Sequence, residues 1–380
     1  MINSKAEALG IIFPNSYDSL VPDLVSERLM ASIPFASRYR MCDFMLSSMA
    51  QSGIDNISVI VRKNYHSLLD HLGTGREWDL VRKNGGLNIV PPFAQKQVKV
   101  FEGRVEALES IRGFLKKQQE KYVILSDANI AMNFDFTELL DAHIKSGADV
   151  TMMYRKQEIP ESLKKLGRDK MELYYSFAMN GDRVSKIYIN PGEDGEMNFS
   201  LNIYVVERER LIKMVDEGYL HGCTYFVRDI LDKQIDSLDV RGYCYDGYAA
   251  CIFDTKSYFE ENLKLLQEEN LNALFSGNQI HTKIRDDNPT RYINGSRVKN
   301  VMVADGCVIE GEVENSVLFR GVHVGKGAKV KNCVLMQDTI VQQNASVEYV
   351  ITDKNVTITE GRSLTGNDSY QVYVAKGQLV

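Results

Sequence analysis

Val313-Glu-Asn-Ser-Val-Leu318 and Val330-Lys-Asn-Cys-Val-Leu335 lie 17 residues apart and share one pattern: valine, a charge, asparagine, a small residue, then two aliphatics. Working outward, Val298-Lys-Asn-Val-Met302 begins 15 residues earlier and Val347-Glu-Tyr-Val-Ile-Thr352 begins 17 residues later. Glycine- or asparagine-bearing turns, such as Asp305-Gly306 and Gly325-Lys-Gly327, follow each unit. A period of this length suits one solenoid coil with three flat faces of about six residues, stacked on an interior of valine and isoleucine. A β-sandwich is the competing reading, but its strands rarely repeat their own sequence. The expectation is a β-helix of hexapeptide units after the linker Asp286-Asp-Asn-Pro-Thr290, where the helical period disappears.

Upstream, β-rich runs (Ala8-Leu-Gly-Ile-Ile-Phe13, Ile57-Ser-Val-Ile-Val61, Tyr122-Val-Ile-Leu-Ser126, Val150-Thr-Met-Met-Tyr154) alternate with helical patterns. Val105, Leu108, Ile111 and Leu115 recur at helical spacing, and Phe136 to Ser146 runs into Gly147, a suitable C-cap. The pattern predicts an α/β domain over 1–285, a mostly parallel sheet with helices on both faces, and a β-helix over 286–380. Glu158 to Tyr175 and Asn190 to Glu196 read as insertions.

With 380 residues, 44% of them hydrophobic and 25% charged, the chain can bury the cores of two domains. A net charge of −6 without a basic block excludes nucleic acid and anionic membrane as evident partners. No run reaches transmembrane length and the first residues lack the halves of a signal peptide, so a cytoplasmic protein is expected. The six cysteines show no CxxC pair and the six histidines no ligand spacing, so no metal site is expected from them.

From Ile11 to Ser52 there is no glycine. The strand ending at Phe13, the loop Pro14-Asn-Ser-Tyr-Asp-Ser-Leu-Val-Pro22 and the segment Ile33 to Phe44, leading into a helix that stops at Gly53, resemble the opening of the sugar-phosphate nucleotidyltransferases, in their ADP-glucose pyrophosphorylase branch. That family carries a glycine-rich loop and an arginine here, because backbone N–H groups approach a triphosphate closely only where no Cβ intervenes. Counting back from Pro34 puts the three glycines on Asn15, Ser16 and Asp18 and the arginine on Leu20. The resemblance covers nearly the whole chain and implies that the β-helix is left-handed.

By the same resemblance, the chemistry is eroded. Ala128 falls where an aspartate holds the metal, with Asp127 one position early and therefore on the opposite face. Cys251 falls on the second metal aspartate, leaving Asp246 and Asp254 out of register. Asn190 replaces the lysine that holds the sugar phosphate, and Met30 replaces the lysine ahead of Pro-Phe. Losing one preorganised charge costs about 3 kcal/mol of transition-state stabilisation. Other markers persist: Trp78, Gly86 and Gly103 around the nucleotide cleft, and Ser200 and Asn202 at the sugar site, although Arg104 departs from the small residue usual there. Arg28, Arg38 and Arg40, three guanidinium groups within thirteen residues, form a candidate anion site. Arg28 and Arg40 match arginines near the family's activator pocket, whose lysine is here Glu27. His323 invites comparison with acyltransferases of hexapeptide type, but no catalytic partner stands beside it in sequence.

The resemblance is closest to the regulatory, non-catalytic subunits of the bacterial branch. It implies a silent or impaired chain without a cofactor of its own. Mg²⁺ is expected only at an active partner subunit, in a hetero-oligomer, as a tetramer, with a sugar phosphate as possible effector. The alternatives are a slow enzyme recruiting Asp127, Asp246 or Asp254, and a free-standing sugar-phosphate sensor.

Overall fold

The computed structural model describes residues 7–91, 101–166 and 173–380; Pro92 and the middle of the insertion expected after Glu158 lie outside the described residues. Nine strands form the main sheet: β1 (Ala8–Phe13), β2 (Asn56–Ile60), β3 (Gly86–Val90), β4 (Tyr122–Asp127), β5 (Val150–Glu158), β6 (Tyr175–Asn180), β7 (Arg183–Ile189), β8 (Glu196–Glu207) and β9 (Val240–Cys244), in the order β3-β2-β1-β4-β8-β5-β9-β7-β6. Only β8 and β7 run against the other seven. β1 is buried along its whole length. Ala8 and Ile12 enter one core while Leu9, Ile11 and Phe13 enter the other, which is why the strand reads as an unbroken apolar run.

The helices α1 (Met41–Gln51), α2 (Arg104–Ser110), α3 (Phe136–Ser146), α4 (Arg208–Leu220) and α5 (Thr255–Lys264) cover both faces. Buried residues of α1, α3 and α5 belong to the first core, and those of α2 and α4 to the second. α3 keeps its expected bounds, with Gly147 at φ 64° as C-cap. The helical spacing from Val105 to Leu115 is broken at Ile111, where φ −104° and ψ 8° end α2 before a second short helix.

In the C-terminal domain the repeated valines stack in register: Val298 on Val313, Val313 on Val330, Val330 on Val347, and Val347 on Leu364. Every ladder between coils is parallel. Asn300, Asn315, Asn332 and Tyr349 turn one corner at φ 47–52°, and three of them are asparagine because it tolerates the left-handed region. The single 15-residue interval has a local cause. Only Glu310 and Gly311 separate Ile309 from Glu312, whereas Gly325 to Ala328 separate Val324 from Lys329.

The solenoid faces the sheet domain with Val317, Phe319, Val334, Met336 and Ile351, which join the first core. Phe259 of α5 meets Tyr349 at 6.2 Å between ring centroids. Beside this contact Arg28 grips Asp353 with two bonds from Nη2, at 2.6 and 2.9 Å. Among the described residues no helix is long and apolar enough to cross a membrane.

Candidate functional site

The C-terminal ends of β1 and β4 lie side by side, with Phe13 paired to Asp127, and a cleft opens there. Crevices at the carboxyl ends of parallel strands are the usual ligand positions of α/β sheets. Its wall runs through Asn15, Ser16, Tyr17, Phe101, Gly103, Arg104, Asp127 and Asn202.

The loop after β1 spends its polar side chains on the protein itself. Asn15 Nδ2 donates to Asp18 Oδ2 at 2.7 Å, while Asn15 Oδ1 accepts from the Arg62 N–H at 3.1 Å. Asp18 Oδ1 accepts from the Met30 N–H at 2.8 Å, and Ser16 Oγ donates to Asp127 Oδ1 at 2.5 Å. Tyr17 sits at φ 63°, fully inside, with its hydroxyl donating to the Leu173 carbonyl at 3.1 Å and accepting from Asn202 Nδ2 at 3.0 Å. Four side chains therefore fill the route that a glycine loop would leave to phosphates.

Asp127 and Ala128 point to opposite faces, as strand alternation requires, but the exclusion of Asp127 from the site is corrected: its face lines the cleft. Its carboxylate is already taken. Arg104 Nη2 reaches Oδ1 at 2.5 Å, with 1% of the Asp127 side chain exposed. The guanidinium also lies over the rings of Phe13, at 5.1 Å, and Tyr204, at 5.7 Å. Burial pulls the Arg104 pKa down, but Asp127 and the surrounding tyrosines outweigh it and hold the group above its ordinary value.

The other expected positions fall as follows. Ala128 and Met30 are fully buried in the first core, and Leu20 packs against it. Cys251 pairs with Ile130 in a small antiparallel sheet, and burial pushes its thiol up to about 12. Asn190, at φ 45°, accepts from the Tyr174 N–H at 2.8 Å and so extends the β6–β7 pairing by one residue. Gly103 and Asn202 line the cleft, and Ser200 Oγ accepts the Asn202 N–H at 3.1 Å from behind. Trp78 and Gly86 do not line it: Trp78 is buried against His71 at 5.8 Å, and Gly86 opens the edge strand β3.

These groups do not fit a divalent metal in the cleft. Ala128 offers no ligand, Asp127 is paired to Arg104, and Asp254 caps α5 by accepting from the Ser257 N–H at 2.6 Å. Elsewhere Cys42, Asp43 and His71 bring three ligand-type atoms within 4.8 Å. Asp43 already accepts from Arg40 N–H at 2.9 Å and contacts His71 Nε2 at 2.6 Å, a closed link between α1 and the helix His66–Leu72.

The three arginines do not act as one group. Arg28 is paired with Asp353 and also lines a cavity between the domains. Arg40 donates to the Ser67 carbonyl at 2.7 Å and its hydroxyl at 2.9 Å, and Arg38 lies 3.9 Å from Asp305. Sequence reasoning missed Lys354 and Lys376, the cations that converge with Arg28. A cavity of about 360 Å³ between the domains is lined by Arg28, His66, Ser67, Lys354 and Lys376, with Glu27 as the one carboxylate among its lining residues. Burial, then Arg40 and Arg28, push Lys354 down to about 7. His323 contacts Glu310 at 3.0 Å on the solvent side of the solenoid.

Residues 22–240 match the family described as nucleotidyl transferase, and residues 284–372 match the GlmU-like C-terminal hexapeptide family. The chain is 33% identical over 373 residues to the glycogen biosynthesis protein GlgD of Bacillus subtilis, covering 98% of this chain and 96% of that protein. The chain belongs to the GlgD branch of the glucose-1-phosphate adenylyltransferase family. It is also 34% identical to the GlgD of Geobacillus stearothermophilus, over 85% of this chain and 82% of that protein. A glucose-1-phosphate adenylyltransferase of Clostridium perfringens is 29% identical over 89% of this chain and 87% of its own length. With the family established, the solenoid is its left-handed hexapeptide β-helix.

Proposed function

We propose that this chain is the catalytically silent, regulatory subunit of a cytoplasmic glucose-1-phosphate adenylyltransferase that makes ADP-glucose for glycogen synthesis. One observation carries the reading: the only carboxylate at the end of β4 is bound by Arg104 instead of being open to a metal ion. Transfer of an adenylyl group from ATP to glucose 1-phosphate needs cations on the triphosphate and carboxylates on Mg²⁺. The loop residues Asn15, Ser16 and Asp18 are bonded internally, and Met30 and Asn190 carry no charge. Mg²⁺ and turnover then belong to a catalytic paralogue, joined in a hetero-oligomer, as a tetramer, of which this chain biases the states. The cationic cavity between the domains is where a sugar-phosphate effector would act on that bias.

The test is ADP-glucose synthesis by this chain, by the catalytic paralogue, and by the two mixed. Expected are no turnover alone and a mixed complex with altered rate or substrate affinity. Turnover by this chain at the paralogue's rate, or no complex at micromolar concentration, overturns the proposal.

A further inference from the structure

The ion pair in the cleft has a second consequence, which concerns binding instead of turnover. We propose that Arg104 is a built-in occupant of the nucleotide side of the cleft, and that it excludes adenine nucleotide from this chain.

Space is the first obstacle to a nucleotide. The cavity left beside Arg104 measures about 120 Å³. An engineered cavity of about 150 Å³ holds a benzene ring, and ordinary small-molecule sites run from about 300 Å³ upward. The cleft is open to solvent on one side, and its enclosed part is smaller than a purine with its ribose, so a base could seat there only by displacing Arg104.

Contacts come next. A planar base needs an aromatic or aliphatic face and a hydrogen-bonding edge. Here the faces of Phe13 and Tyr204 are already covered by the guanidinium, at 5.1 and 5.7 Å. Asp127 Oδ1 accepts from both Arg104 and Ser16. The backbone fixes the arginine in this pose. Gly103 approaches the Thr224 carbonyl so closely that a Cβ would meet its oxygen at 2.2 Å, and the Val105 N–H donates to the same carbonyl at 3.2 Å. Arg104 begins α2 directly after that clamp, so its side chain leaves the backbone into the cleft. Tyr17 closes the sugar side through its bonds to Leu173 and Asn202.

A nucleotide would therefore have to break a buried ion pair and strand the Asp127 carboxylate, a cost its own contacts do not return. In this chain the inner part of the cleft is filled by its own side chain.

This inference rests on reading the cleft as a former nucleotide site, and its test reads binding by the isolated chain, whereas the regulatory proposal is read from a partner's rate. Mg-ATP is titrated calorimetrically into the full-length chain. Wild type is expected to show no saturable binding at millimolar nucleotide. The double variant R104T/D127G, which removes both charges and opens the space, is expected to bind at least about tenfold tighter, a gain of about 1.4 kcal/mol. D127N alone leaves Arg104 in the cleft and is expected, although less stable, to show no saturable nucleotide binding, as in wild type. Should R104T/D127G lose its thermal transition, R104Q/D127N decides, because a shorter neutral pair keeps the polar contact and still frees room. Wild type binding as tightly as the decisive variant, or that variant folding as wild type and binding no tighter, overturns the proposal.

Discussion

Lys354 shows how one residue links the solenoid to the cavity between the domains. It follows Asp353, whose carboxylate holds Arg28, and its ammonium is left facing Arg28, Arg40 and Lys376 with Asp353 as the opposing charge. Burial is the largest cause of its depressed pKa of about 7. Two consequences of opposite sign follow. Without an anion, the unfolded lysine binds a proton that the native one releases between about pH 7 and 10.5, so this residue's contribution to stability rises with pH across that window. An anion in the cavity favours the charged form, so its affinity falls as pH rises through 7. Calorimetric titration with glucose 1-phosphate is expected to weaken from pH 6 to pH 8.5, with proton uptake on binding. K354M should remove most of the lysine's share of this pH step, and H66Q, assayed alongside, separates the histidine that lines the same cavity. A pH-independent affinity in wild type would show that Lys354 does not meet the ligand.

At the scale of elements, the coil that is two residues short carries the sharpest constraint. A Cβ on Gly311 would lie 2.4 Å from the Ala328 carbonyl oxygen and 2.7 Å from that of Gly325. Both are backbone atoms of the next coil, so neither can swing away as a side chain end would. G311A is expected to destabilise by about 1–3 kcal/mol. G113A, whose Cβ would meet nothing within 4 Å in a helical segment, is expected to be neutral or stabilising. Urea unfolding of the two variants checks the contrast. The solenoid was legible because its register is written along the chain: the same valines that repeat in sequence touch in space. β1 and α3 were legible for a related reason, each carrying its own period and end signal. The cleft was less so. Alternation along β4 correctly separated Asp127 from Ala128, but which face holds the cleft depends on Phe226 and Tyr175, residues distant in sequence. The pairing of Arg104 with Asp127 spans 23 positions and two elements, and no period announces it. Trp78 was expected at the nucleotide cleft from the resemblance alone, whereas it is 2% exposed and packs against His71.

At the scale of the whole molecule, two domains behave as one because their cores are continuous and because a buried charged pair crosses between them. Arg28 and Asp353 are separated by 325 positions, and their side chains are 3% and 1% exposed. The Tyr373 hydroxyl lies 2.9 Å from Asp353 Oδ2 and 3.0 Å from the Asp23 carbonyl, so both partners and their neighbours are satisfied. Burying two charges gains little net stability compared with apolar groups, but removing one partner strands the other in the same dry place. The expected order in thermal unfolding follows from that asymmetry. D353N and R28M each destabilise by about 3–5 kcal/mol, whereas R28M/D353L, which leaves no charge unpaired, costs less than either. The pair also sits at the edge of the cationic cavity, so it couples domain docking to the positions of Lys354 and Ser67. R28M/D353L is therefore expected to keep most of its stability while the domains lose their fixed register, and the mixed complex with a catalytic paralogue should respond less to a sugar phosphate than wild type does. Assaying that response beside the melting curves separates a pair that merely holds the fold from one that transmits occupancy of the cavity: equal effector response in wild type and R28M/D353L would leave the pair a purely structural clamp.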